Sequence, residues 1–139
     1  MTSNSELLLA GYQAWNSENL DRYLELLHPE VHISTSGLFP DLPSDYEGRD
    51  RAEVFWRQMH EPWEKFRIDV EHIEDEGAWA LASLRLRARA RDGLAVDMRF
   101  GMAMRVQDGL AVEFLNRRSF DEARKAIHSE QPAADRAPT

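Results

Sequence analysis

Three runs of alternating residues, joined by two Asp-Gly pairs between Ala78 and Ser119, limit what this chain can fold into. The runs are Ala78–Ala90, Ala95–Val106 and Leu110–Arg118. Their even-numbered positions are almost all apolar, as in Leu84 and Leu86, Met98, Phe100 and Met102, or Val112 and Phe114. The odd positions are mixed and rich in arginine. Side chains of a strand alternate between faces with period two, so this pattern predicts an antiparallel meander with one apolar face.

The turns decide whether that face survives pairing. A two-residue loop at Asp92-Gly93 would oppose odd to even positions and set Arg87 against Met98. A three-residue loop, Arg91-Asp92-Gly93 with the glycine left-handed at a bulge, opposes even to even. Gln107-Asp108-Gly109 is expected to act in the same way. The resulting register pairs Leu84 with Phe100, Phe100 with Asn116, and Met102 with both Ala82 and Phe114. Asn116 is then the polar group in the middle of the apolar face.

On the odd face this register places Arg85, Arg99 and Arg117 in one row, where like charges repel. Asp97 is expected to pair with Arg87. Ser83, Gly101 and Leu115 form a small flat patch flanked by Leu81 and Ala103. A homodimer interface through Ser83, Arg85, Arg99, Gly101, Leu115 and Arg117 is therefore predicted. Partner carboxylates would answer the arginines, with Glu113 and Glu71 the nearest candidates.

The rest of the chain supplies helices. Ser5 is a plausible cap for a helix carrying Leu7, Leu8, Tyr12 and Trp15 at helical spacing. A second short helix presents Leu20, Tyr23, Leu24 and Leu27, and Pro29 closes it. Val31-His32-Ile33-Ser34 reads as a strand, and residues 35–48 as an irregular loop of a length that often covers a site. Arg49–His60 forms a third helix with Ala52, Phe55, Trp56 and Met59 on one side. Phe66–Glu74 is a strand with Phe66, Ile68, Val70 and His72 on one face. Asp121 caps a last helix over Glu122–Ile127. One domain is expected over 5–128, with disordered flanks at 1–4 and 129–139. Strands and helices are largely segregated along the chain, so the class is α+β.

Composition excludes several functions. The 139 residues carry 17 basic and 25 acidic side chains, for a net charge of −8. That balance argues against non-specific nucleic-acid binding, which needs a basic footprint. Without cysteine there is no disulfide, thiolate metal site or cysteine nucleophile. The five histidines, His28, His32, His60, His72 and His128, show no paired ligand spacing, so no metal is expected. No apolar run is long enough for a membrane span, and the first residues do not read as a leader, so a cytoplasmic location is expected.

Ordered patterns along residues 6–127 resemble the nuclear-transport-factor-2-like superfamily, and within it the SnoaL-like proteins. They are Ala14-Trp15-Asn16-Ser17-Glu18-Asn19-Leu20-Asp21, Leu27-His28-Pro29-Glu30-Val31, Gly37 to Pro43, Tyr46-Glu47-Gly48-Arg49, Phe55-Trp56-Arg57, Glu61-Pro62-Trp63-Glu64 and Arg105 to Val112. The resemblance implies a cone: a curved, mostly antiparallel sheet packed on three N-terminal helices, as in a cystatin-like α+β barrel. It also implies a small apolar metabolite inside the cone, no cofactor, and a dimer through the outer sheet face.

Under that reading the ligand would meet Tyr12, Trp15, Trp56, His60, Trp63, Phe100, Met102 and Phe114. His32 titrates near neutral pH and is the candidate base, with Asn116 and Tyr46 positioning an oxygen. The catalytic groups of ketosteroid isomerase-like relatives are missing, since Ser34 or Ile33, Gly11 and Met102 stand at their places. The paired aspartates of epoxide hydrolase-like members are missing too, because Asp97 lies on the odd face. A cofactor-free cyclase, isomerase or hydrolase, a non-catalytic carrier or sensor, and a structural dimerisation module all stay open.

Overall fold

In a computed structural model the described residues are 3–129, except Pro40 and the side chain of Ser129. Of the flanks expected to be disordered, 1–4 and 129–139, residues 1–2 and 130–139 lie outside the described residues, while Asn4 and Ser129 belong to helices. Ser3, rather than Ser5, caps helix α1 (Asn4–Asn16), its hydroxyl accepting from the Glu6 N–H at 3.1 Å. Ser5 instead donates its hydroxyl to the Asp75 carboxylate at 2.6 Å. Asn19 caps α2 (Leu20–Glu25), accepting from the Arg22 N–H at 3.1 Å. Strand β1 (Leu27–Ser34) follows, then β2 (Asp45–Glu47), a short strand within the stretch expected to be irregular. Helix α3 (Arg49–His60) buries Ala52, Phe55, Trp56 and Met59, one stripe at helical spacing. Then come β3 (Lys65–Glu76), β4 (Trp79–Arg89), β5 (Ala95–Gln107), β6 (Leu110–Arg117) and α4 (Phe120–Ser129). Ser119, not Asp121, caps α4, accepting from the Glu122 N–H at 3.1 Å.

The six strands form one curled, unclosed sheet in the order β2-β1-β6-β5-β4-β3. Only β1 and β6 run parallel. The concave face packs on α1, α2 and α3 through the main core, which contains Leu84, Phe100, Met102 and Met104. This is the α+β arrangement expected from the chain order.

The first Asp-Gly turn is the three-residue loop. Ala90 N–H donates to Leu94 O at 2.8 Å, Gly93 has φ 93°, and Leu84 opposes Phe100. The second turn differs. Gln107 opposes Leu110, and Asp108 and Gly109 both have positive φ (55° and 76°). That is a two-residue mirror-image turn, whose twist matches the flanking strands. A bulge at Val112 then restores parity, because Arg105 opposes Glu113 while Val106 opposes Ala111. The register therefore sits two residues away from the expected one: Asn116 faces Met102, not Phe100, and Phe114 faces Met104. Arg117 faces Gly101, so the row of three arginines does not form. A second bulge lies at Glu71 in β3, where Val70 opposes Leu84 but His72 opposes Ser83. It turns His72 outward, against Phe120, and brings Ile73 onto the inner face.

Helix α4 lies across part of the outer face. Ala123 and Ala126 pack on Leu81, Ala103 and Leu115. The chain passes so close to β5 that a Cβ on Gly101 would sit 2.1 Å from the Ser119 carbonyl oxygen, so only glycine fits. Ion pairs Arg124–Glu74 and His128–Glu76 tie α4 to β3, and each is partly exposed, so solvent screens it.

Candidate functional site

Helical spacing puts Leu8, Gly11 and Trp15 on the side of α1 that faces the sheet, with Tyr12 beside them. The curl of the sheet leaves a cavity there of about 40 Å3, measured as the space open to the centre of a water molecule. That is room for roughly three waters. Leu8, Gly11, Tyr12 and Trp15 of α1, Tyr23 of α2, and Phe55 and Met59 of α3 line it. The sheet contributes Ile33, Ile68, Phe100, Met104, Phe114 and Asn116, and the loop after β1 contributes Phe39.

The wall has few polar atoms, and most lack a protein partner. Trp15 is 3% exposed, and its indole Nε1–H is buried with no hydrogen-bond acceptor. An orphaned donor costs about 1–3 kcal/mol. The Tyr12 and Tyr23 hydroxyls also have no hydrogen-bond partner among the described residues. Burial, with the neighbouring Tyr23 adding to it, pushes the Tyr12 hydroxyl far above the usual phenol range. Burial does the same to Tyr23. Both therefore stay neutral and can donate. Asn116 uses its Nδ2 to donate to the Ser34 carbonyl at 3.1 Å, which leaves its side-chain oxygen for the cavity. No Lys, Arg, His, Asp or Glu belongs to the lining.

Of the expected ligand contacts, Tyr12, Trp15, Phe100 and Phe114 line the cavity. Met102 is fully buried in the wall behind it. Trp56 and His60 form a second layer. The His60 ring stacks on Trp56 at 4.2 Å and on Phe66 at 5.1 Å, and its two nitrogens meet the Trp56 and Trp15 carbonyls at 2.8 and 3.1 Å. Trp63 packs on the core without lining the cavity. Tyr23, Phe55 and Met59 were on the apolar stripes read from the sequence. Gly11 carried no signal of its own.

The three expected catalytic residues do not converge. Val31 and Ile33 fill the inner face of β1, so period two sends His32 to the outside. There its Nε2 meets Asp45 at 2.7 Å and its Nδ1 meets Glu113 at 3.3 Å. Glu113, 1% exposed, also pairs with Arg105 at 3.4 Å. The Glu113 hydrogen bond holds the His32 pKa above its usual value against the opposing effect of burial, with Asp45 helping. Burial alone would raise the Glu113 carboxyl, but His32 and Arg105 together hold it below its usual value. His32 thus lies between two carboxylates that favour its protonated form, and it does not line the cavity. Tyr46 is 1% exposed and donates to Gln58 Oε1 at 2.6 Å, away from the cavity lining.

The residues expected at a dimer face are engaged within the chain. Arg85 pairs with Asp97 at 2.7 Å, so Asp97 serves Arg85 rather than Arg87, which pairs with Asp69. Glu71 answers Arg99 at 2.8 Å from the same chain, and Arg117 donates to the Ser34 hydroxyl at 3.2 Å. Gly101 lies under the turn into α4 and Leu115 under α4 itself, while Ser83 is half-buried beside them. Among the described residues no group of three or more His, Asp or Glu side chains could hold a metal ion, and no helix is long and apolar enough to cross a membrane.

Comparison with known proteins agrees with this architecture. An NTF2-like protein of unknown function from Burkholderia pseudomallei superposes with a TM-score of 0.75 at 22% identity, covering 93% of this chain and all of that one. TerC, co-crystallized with polyporic acid, gives 0.73 at 16% identity, covering 91% and 98%. A putative polyketide cyclase from Pseudomonas putida gives 0.67 at 18% identity, covering 84% and 91%. Identities this low carry the fold alone. Curated protein sequences give no match. The SnoaL-like domain model matches residues 8–114, most of the folded region, and the chain belongs to the SnoaL-like family.

Proposed function

We propose that the cone binds one compact, uncharged and largely apolar molecule by an oxygen atom. The observation that carries this is the buried Trp15 Nε1–H without an acceptor, in a cavity that Tyr12 and Tyr23 also line. A ligand carbonyl or ether oxygen would supply the missing acceptor, and its apolar body would fill the space among Phe100, Phe114 and Met104. Ligand sites commonly pair an apolar wall with a few such polar atoms. The absence of a cation from the lining sets the charge: a carboxylate entering here would meet only neutral donors. Burying an unpaired ion costs several kcal/mol. The polyketide cyclase and TerC neighbours fit a role with small molecules.

The lining favours holding over transforming. Tyr12 and Tyr23 can donate to an oxygen that gains charge, but neither can take a proton while burial keeps it neutral. His32, the expected base, sits across the sheet. This is the carrier reading. Calorimetric titration with acetophenone and with benzoate, which has nearly the same shape and one charge, tests it. Acetophenone should bind, and benzoate should bind about 100-fold more weakly. Equal binding of the two, or no binding of either, would reject the proposal.

A further inference from the structure

Gly11 has no local reason to be glycine. It lies inside α1, its φ is not positive, and a Cβ built there would meet nothing within 4 Å. Alanine would suit the helix better. It also stands in the inward row between Leu8, 1% exposed, and Trp15, 3% exposed, yet is itself partly exposed. A gap therefore opens in an otherwise sealed helix face. Gly11 lines the cavity, and its neighbour Tyr12 lines both the cavity and an outer groove between α1 and β3. Ile68 of β3 likewise borders both spaces. The unpartnered Trp15 Nε1–H belongs to a residue one helical turn further on.

Resting on the ligand reading above, we infer that Gly11 is the residue that sets ligand size and entry: the notch left by its missing side chain is the inner end of a doorway between α1 and β3, whose outer end Tyr12 and Ile68 border. A ligand passes Tyr12 and Ile68, lies against the α1 backbone at Gly11, and reaches the Trp15 indole with its oxygen. A side chain at position 11 narrows that path while leaving the fold intact. Stability and binding should then move in opposite directions at this one position.

Thermal melts and acetophenone titrations of wild type, Gly11→Ala and Gly11→Leu make the test. Gly11→Ala should melt about 4 °C higher, from its better helix propensity in open space. Its acetophenone affinity should fall at least about fivefold, equivalent to a lost contact of roughly 1 kcal/mol. Gly11→Leu should abolish binding. If Gly11→Ala binds as tightly as wild type, the doorway is elsewhere and only this inference falls. If Gly11→Ala melts lower, the space beside the helix is not open, and the inference falls on stability alone. A wild type that binds no neutral ketone overturns the ligand reading and this inference with it.

Discussion

The two faces of one sheet treat polar groups in opposite ways. Outside, His32, Glu113, Arg105, Arg85, Asp97, Arg99 and Glu71 each meet a group of opposite charge type within the chain. Inside, burial keeps Tyr12 and Tyr23 neutral, and the Trp15 Nε1–H lacks an acceptor. The outer side has unmatched atoms of its own, Arg124 Nε and Glu76 Oε2, but both belong to side chains already held in ion pairs. The buried Trp15 Nε1–H has no polar partner at all, which is what points to an occupant.

The largest expected effect breaks the outer side of this contrast. Glu113→Ala leaves His32 and Arg105 without their shared buried carboxylate. Removing one member of a buried ion pair costs about 3–5 kcal/mol, because the remaining charge stays desolvated. Urea unfolding should show a loss of that size. Ketone affinity of the folded variant should be unchanged, since the network does not reach the cavity. A stability loss under about 1 kcal/mol would show that the outer network is not what holds β1 to β6.

A smaller effect sharpens the inner side. Tyr12→Phe removes a hydroxyl that has no partner in the free protein, so stability should hold or rise by up to about 1 kcal/mol. Acetophenone affinity should drop by about two- to tenfold, the worth of one neutral hydrogen bond. A variant that loses stability instead would show that the hydroxyl is already satisfied in the unliganded protein.

The smallest effect is a pH dependence. The folded-state pKa of His32 is raised above 6.5. Its contribution to stability is therefore complete below pH 6.5 and is lost as pH rises through the raised folded value. Glu113 works in the opposite sense. Its folded pKa lies below 4.5, so its contribution is present above pH 4.5 and is lost as pH falls through the lowered value. Melting temperature should decline from pH 6 to pH 9 in wild type, and His32→Gln should flatten that decline. An unchanged slope in the variant would remove His32 from the account.

Much of the frame was legible in the chain itself. Period-two alternation over 78–119 identified the meander and its inner face, and the spacing of Ala52, Phe55, Trp56 and Met59 placed α3 with its boundaries. Hairpin geometry was harder to read. Asp108-Gly109 suits a two-residue turn as well as a three-residue one, and the compensating bulge at Val112 falls on an ordinary apolar residue with no turn signal. The bulge at Glu71 is equally silent, which is why His72 was expected on the wrong face. His32 was misread because a four-residue strand with an apolar and a polar side does not say which side the core takes. Val31 and Ile33 decide it, since burying two apolar side chains outweighs burying a histidine. The unsatisfied Trp15 donor was beyond sequence reasoning, because whether an indole finds an acceptor depends on three-dimensional neighbours.

The most direct test of an unmet donor is the donor's own proton. In 1H–15N correlation spectra, the Trp15 indole resonance can be assigned by its disappearance in Trp15→Phe. Titration with acetophenone should move it downfield as the carbonyl oxygen accepts its proton, while the Trp79 indole on the far side of the sheet stays in place. A Trp15 resonance that does not move with any neutral ketone, or that moves equally with benzoate, would contradict the account.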